Sequence, residues 1–153
     1  MREVRVQTEA FDVGAEFARL LAGGRTDIGG VGCFVGIVRG ATAEGPAVAA
    51  MTLEHYPGMT DRALDAIAAE AERRWDLIGC TVIHRVGELR AGEPIVLVLA
   101  ASTHRQAALD ATAFLIDWLK TRAPFWKQER GADGTLAWVD AREADEAAAA
   151  RWS

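Results

Sequence analysis

IGCTVIHRV at Ile78–Val86 and IVLVLAA at Ile95–Ala101, followed from Arg105 to Lys120 by RQAALDATAFLIDWLK, decide the fold class of this chain. The first two runs are short, apolar and rich in β-branched residues, which predicts two strong strands. Between them Gly87–Pro94 is rich in turn residues and reads as a connection. In the third run Ala108, Ala111, Leu115 and Leu119 recur at helical spacing and form one side of a long helix. Pro124 follows, so the helix does not continue past Arg122.

Working outward toward the N-terminus, Thr60 is placed to cap a second long helix carrying Leu64, Ile67, Ala68, Ala71 and Trp75. Before it, Ala47–His55 reads as a strand returning antiparallel to Gly29–Val38, whose glycines permit close approach or bulging. Gly40–Pro46 between them is a small-residue loop expected to be mobile. Asp12 can cap a short helix that sends Phe17, Leu20 and Leu21 toward the core and ends at Gly23-Gly24. Val4–Thr8 is a strand. Toward the C-terminus, Phe125–Arg130 and Leu136–Val139 flank a turn at Gly131–Gly134, and Ala141–Trp152 is a final helix. The order β-α-β-β-α-β-β-α-β-β-α predicts an α+β fold, a two-layer mixed or antiparallel sheet with packed helices, in one domain over residues 1–153. Its opening β-α-β-β-α-β portion is compatible with ferredoxin-like packing.

Half the residues are apolar and a quarter charged, the balance of a folded domain. A formal net charge of −5 argues against a general nucleic-acid binder and leaves room for a local basic pocket. No window is apolar enough to span a bilayer and no secretory segment opens the chain, so a cytoplasmic protein is expected. Cys33 and Cys80 sit in apolar stretches and read as buried free thiols. His55, His84 and His104 are scattered, which speaks against a metal site. His84, in an alternating strand, reads as a hydrogen-bonded structural histidine. The five tryptophans read as core or subunit-contact residues.

The densest candidate site is KTRAPFWK, Lys120–Lys127, at a helix-to-strand junction. A proline turn there lets Lys120 and Lys127 face one pocket, with Phe125 and Trp126 as its dry wall. Burial or a neighbouring cation then frees an amine for nucleophilic or base work. Spacing alone also admits a solvated basic face. Thr103-His104-Arg105 opens a helix, where amides and cations hold an anion or merely form a capping turn. Arg39 ends an apolar strand and is either a surface residue or a third cationic contact. Glu54-His55-Tyr56-Pro57 is an acid-base pair or the fastening of a turn. Together the cations suggest a phosphate-bearing small molecule.

In order along the chain, GIVR at Gly36–Arg39, LEHYPGMT at Leu53–Thr60, IHRVGEL at Ile83–Leu89, STHR at Ser102–Arg105 and FLIDWLKTRAPFWKQE at Phe114–Glu129 resemble the large, catalytic subunit of molybdopterin synthase. The resemblance implies the α/β-hammerhead fold of that family. It implies a sulfurtransferase that converts cyclic pyranopterin monophosphate to molybdopterin, with no cofactor or metal of its own. It implies two partners: a ubiquitin-like small sulfur-carrier subunit ending in a Gly-Gly thiocarboxylate, and a second copy of the chain, forming the homodimer core of a heterotetramer. Carried over motif by motif, Lys120 is the leading catalytic residue, and Lys127 a second catalytic or substrate-positioning lysine. Arg39, His104 and Arg105 hold the cyclic phosphate and pterin, some across the dimer interface. The loop after Arg39 departs from the family's polar, asparagine-containing pattern. A noncatalytic scaffold subunit and a different phosphate-ligand enzyme are the rival readings.

Overall fold

Eight strands sort into two four-stranded sheets in the computed structural model, which describes residues 1–40, 47–139 and 143–153, the side chains of 138, 139, 143 and 144 excepted. In chain order the elements are β1 (Arg2–Gln7), α1 (Val13–Leu20), β2 (Gly30–Ile37), β3 (Val48–His55), α2 (Met59–Trp75) and β4 (Gly79–Arg85). They continue with β5 (Gly87–Arg90), β6 (Pro94–Ser102), α3 (Arg105–Arg122), β7 (Phe125–Gly131), β8 (Leu136–Val139) and α4 (Glu143–Ala150). The α+β class, two sheets with packed helices, is as the sequence predicts.

The first sheet runs β1-β4-β6-β2, with β1 and β4 parallel and the other pairs antiparallel. Side chains alternate across it. Cys80 and Val82 on β4 and Val96, Val98 and Ala100 on β6 face α2 and α3, where they join Leu64, Ala68, Phe114 and Leu115 in the main core. Ile83, Leu97, Leu99 and Ala101 face the other way, onto α1 through Leu20. Burial on both faces is why β4 and β6 read as continuous apolar runs. Only part of the α1 expectation holds. Leu20 is buried, whereas Phe17 and Leu21 are exposed, because this single-face helix presents one residue per turn to the sheet. The Asp12 cap is present, its Oδ1 accepting the Ala15 N–H at 2.9 Å.

The second sheet runs β5-β3-β7-β8, all antiparallel. It corrects the expected pairing of β2 with β3: β2 pairs with β6 and β3 with β5 and β7. A local period says that a segment is a strand and is silent on its partner, so the ferredoxin-like alternative falls with that pairing. It also adds β5 where only a turn was expected. Gly87, at φ +88°, is a corner at which the chain leaves the first sheet and enters the second; the true turn is at Ala91–Glu93.

Gly32 shows why β2 is glycine-rich. A Cβ there would stand 2.2 Å from Thr112 Oγ1 and 2.5 Å from the Ala108 carbonyl oxygen, so α3 packs directly on the strand's backbone. Thr60 is not a helix cap. The cap position is Gly58, and the buried Thr60 accepts the Tyr56 N–H at 3.1 Å while donating to the Pro124 carbonyl at 3.2 Å. That hydroxyl ties the start of α2 to the start of β7. It is also how the Tyr56 turn is fastened. Cys80 is buried as expected, and desolvation pushes its thiol up to about 12. Cys33 is exposed, because β2 is an edge strand with one face uncovered in the single chain. The loop expected at Gly40–Pro46 falls outside the described residues from Ala41 onward, as do Ala141 and Arg142 of the expected last helix.

Candidate active site

Where the two sheets meet, the end of β2, the last turn of α3 and the start of β7 enclose a cavity of about 430 Å³. Its cations are Arg39, Lys120 and Lys127. Each arrives by a separate structural device. Val38 donates its N–H to Glu93 O at 3.0 Å and accepts from Gly92 N at 2.7 Å, which clamps the end of β2 onto the β5–β6 turn and aims Arg39. Lys120 stands in the last turn of α3, where the helix dipole favours a cation. Ala123, in extended conformation, and Pro124 then turn the chain into β7, so that Lys127 returns as a strand residue opposite Leu53. Lys120 is exposed and Lys127 half-buried.

Lys120 and Lys127 are the only lysines in the sequence; every other permanent side-chain cation is an arginine. An arginine cannot give up its proton in a protein, whereas a lysine can act as base or nucleophile. Both lysines of the chain stand at this cavity. The signal is legible in the sequence as two lysines against fifteen arginines.

The expected dry wall is half present. Phe125 lines the cavity, whereas Trp126, its neighbour on the strand, is exposed on the opposite side and packs edge-on against Tyr56 with ring centroids 4.1 Å apart. Two carboxylates that sequence reading passed over, Glu129 and Asp145, also border the cavity. Glu129 falls two residues beyond Lys127 on the same face of β7, a period-2 relation visible in the sequence. Asp145 is brought by α4 and had no local signal. His84 is a further lining residue. It is hydrogen-bonded, as expected, with Nδ1 2.8 Å from the Arg85 carbonyl oxygen, and its ring stacks on Phe125 at 4.1 Å between centroids. Burial pushes it down to about 4, and Lys127, Lys120 and His55 add to that shift against the opposing effect of the Arg85 carbonyl.

His104 and Arg105 do not border this cavity. They stand exposed at the opposite end of α3, beside Gly30, and 18 helical residues at 1.5 Å each separate the two ends by about 27 Å. Within one chain, then, the candidate cations form two groups. The α3 amides at the His104 end have no side-chain cap, and Ser102 Oγ accepts only the His104 N–H, at 3.4 Å. Among the described residues, no group of three or more His, Cys, Asp or Glu is arranged to hold a metal, and no helix is long and apolar enough to cross a membrane.

Residues 6–122 match the family model described as MoaE protein. The chain is 55% identical over 150 residues to the molybdopterin synthase catalytic subunit of Mesorhizobium japonicum, covering 97% of this chain and 92% of that protein. It is 54% identical over 149 residues to the protein of the same name from Pseudomonas aeruginosa, covering 97% of each. Among solved structures, the molybdopterin biosynthesis MoaE protein from Burkholderia ambifaria superposes with a TM-score of 0.83 at 51% identity, covering 99% of this chain and 98% of that one. Molybdopterin synthase from Staphylococcus aureus superposes with a TM-score of 0.79 at 26% identity, covering 88% and 95%. A complex of subunits 1 and 2 of molybdopterin-converting factor from Helicobacter pylori shares the fold, with a TM-score of 0.67 at 19% identity, covering 93% and 90%.

Proposed function

The chain belongs to the MoaE family of molybdopterin synthase catalytic subunits, and from that premise we propose that it transfers sulfur from a thiocarboxylated small protein to cyclic pyranopterin monophosphate. The observation that carries this reading is the convergence of Arg39 and both lysines on one cavity at the seam between the sheets.

The chemistry asks for what the cavity holds. Sulfur addition to the pterin side chain and opening of the cyclic phosphate both relocate negative charge, which fixed cations stabilise. Lys120 is the principal catalytic residue, at the reacting centre. Lys127, less exposed and held on a strand, positions the substrate. Arg39 takes a phosphate oxygen at the mouth. Phe125 gives the pterin an apolar surface. The donor's flexible Gly-Gly terminus suits an open cleft, because it must deliver sulfur, leave and be replaced before the second dithiolene sulfur is added.

His104 and Arg105, remote within the chain, enter this reading through a second copy. In a homodimer the exposed end of α3 from one protomer completes the partner's cavity and supplies the remaining phosphate contacts.

The test is to incubate purified protein with cyclic pyranopterin monophosphate and authentic thiocarboxylated small subunit, and to detect the dithiolene product. Product is the expected result. Binding of the small subunit without product would replace the enzyme by a scaffold, and a protein that binds the precursor but ignores the donor would point to another phosphate-ligand enzyme.

A further inference from the structure

His84 occupies a position that the packing could fill with an aliphatic residue. It follows Cys80 and Val82 on the helix-facing side of β4, opposite Val6 on β1 and Val96 on β6. A histidine buried to 6% exposure among such neighbours forfeits hydration, which is unfavourable unless its polar atoms are used. One of them is. The Arg85 carbonyl can only accept, so the Nδ1 that lies 2.8 Å from it carries the proton. The neutral ring then has its lone pair on Nε2, and the ring borders the cavity.

The donors that share the cavity are Arg39 from the end of β2, Lys120 from α3 and Lys127 from β7; its other acceptors are Glu129 on β7 and Asp145 on α4. His55, at the end of β3, is the remaining titratable group felt by the ring. Lys127 is singled out by register. Phe125 and Lys127 are two apart on β7 and share a face, and Phe125 is the residue stacked on the imidazole. Of the two lysines, Lys127 also has the larger electrostatic influence on the ring.

We propose that His84 is a positioning residue of this site, whose Nε2 accepts a hydrogen bond from the Lys127 ammonium and fixes where that cation stands. An ammonium has three N–H donors, so this bond coexists with other contacts of Lys127 and with a substrate oxygen. The stacked ring cannot rotate away while Phe125 covers it, which makes the acceptor preorganised. A bond to the charged form favours it, so loss of the acceptor makes Lys127 easier to deprotonate. The inference about the bond stands on geometry; its value to catalysis rests on the sulfur-transfer reading above.

Two substitutions separate the acceptor from the packing. His84→Asn keeps an amide donor near the Nδ1 position for Arg85 O and lacks the Nε2 acceptor, whereas His84→Gln carries an amide oxygen close to where Nε2 stood. Competitive acetylation across pH, read by peptide mass spectrometry, reports Lys127 separately from the only other lysine. His84→Asn is expected to raise Lys127 labelling about threefold below its titration midpoint, and His84→Gln to restore it. An unchanged Lys127 profile in His84→Asn, or a His84→Gln profile like that of Asn, overturns the proposal. Should His84→Asn fail to fold, the long-range ¹H–¹⁵N spectrum of the unaltered protein decides: a proton on Nδ1 supports it, and a proton on Nε2 overturns it. Neither measurement needs turnover, so an absence of dithiolene product would sink the sulfur-transfer reading alone. In the product assay, His84→Asn should raise the precursor KM more than it lowers kcat. An equal loss in both at unchanged labelling would mark a merely structural residue.

Discussion

The two sheets have the same number of strands and very different surroundings. Along β4 every residue is buried, and along β6 all but the first; along β7 none is fully buried. Helices cover both faces of the first sheet at β4 and β6, while the second contributes Met51, Leu53 and Leu89 to the core and leaves Leu136 and Trp126 in the open. The contrast teaches a division of labour. The first sheet holds the fold, and the second carries Lys127 and Glu129 to the cavity on a backbone whose position the first has fixed. The cavity lies where one passes into the other.

The largest expected effect tests the cavity's side of that division, at the end of α3. Lys120→Ala should lower dithiolene formation by about a thousandfold, or roughly 4 kcal/mol of transition-state stabilisation, in a quantitative product assay. Its thermal unfolding midpoint should be unchanged. A matching loss of stability would break the comparison. The next effect belongs to the seam. The unfolded chain takes up a proton on His84 near pH 6.5 and the folded one only near 4, so acid favours unfolding. Stability should be fully present above pH 6.5 and fall by about 3 kcal/mol on the way to pH 4, measured by urea titration at each pH. His84→Gln should flatten that slope. Glu70, held at about 2 by Arg73 and then Arg74, starts to contribute only as the pH approaches 4.5, so the upper part of the window isolates the histidine.

Gly32→Ala probes the first sheet. The added methyl meets the Ala108 backbone and should cost about 2 kcal/mol in a denaturant titration, with turnover per folded molecule kept. The smallest effect falls on the second sheet: Lys127→Ala should raise the precursor KM about tenfold, some 1.4 kcal/mol, by steady-state kinetics, without altering the denaturant midpoint. Unchanged KM and turnover would remove Lys127 from the site.

Much of this division can be read from residues alone. The apolar runs of β4 and β6 and the helical spacing of Leu64, Ile67, Ala68 and Ala71 announce elements buried on two faces or one. Partnership is not announced in the same way. β3 alternates as well against β7 as it would against β2, and Gly87 looks like a turn residue whether it closes a hairpin or bends a strand from one sheet into another. The site divides similarly. Lys120 and Lys127 flank a proline turn, so their approach follows from local chain geometry. Arg39, Asp145 and the cavity edge of His84 arrive from β2, α4 and β4, and only the assembled tertiary structure brings them in. The remoteness of His104 and Arg105 has the same origin, since one straight helix separates the motif holding them from the lysines.

The parallel pairing of β1 with β4 has a consequence for how the protein is made. Arg2 lies opposite Cys80, so β1 leaves the ribosome with its partner roughly 80 residues behind it. At 5–20 residues per second that is a wait of about 4–16 s, during which Val4 and Val6 have no strand to cover them. Glu3 and Arg5, which alternate with those valines, and Arg2 beside them keep this early segment charged until β4 emerges. The edge strand β1 is thus made well before β4, the strand that holds it in the sheet.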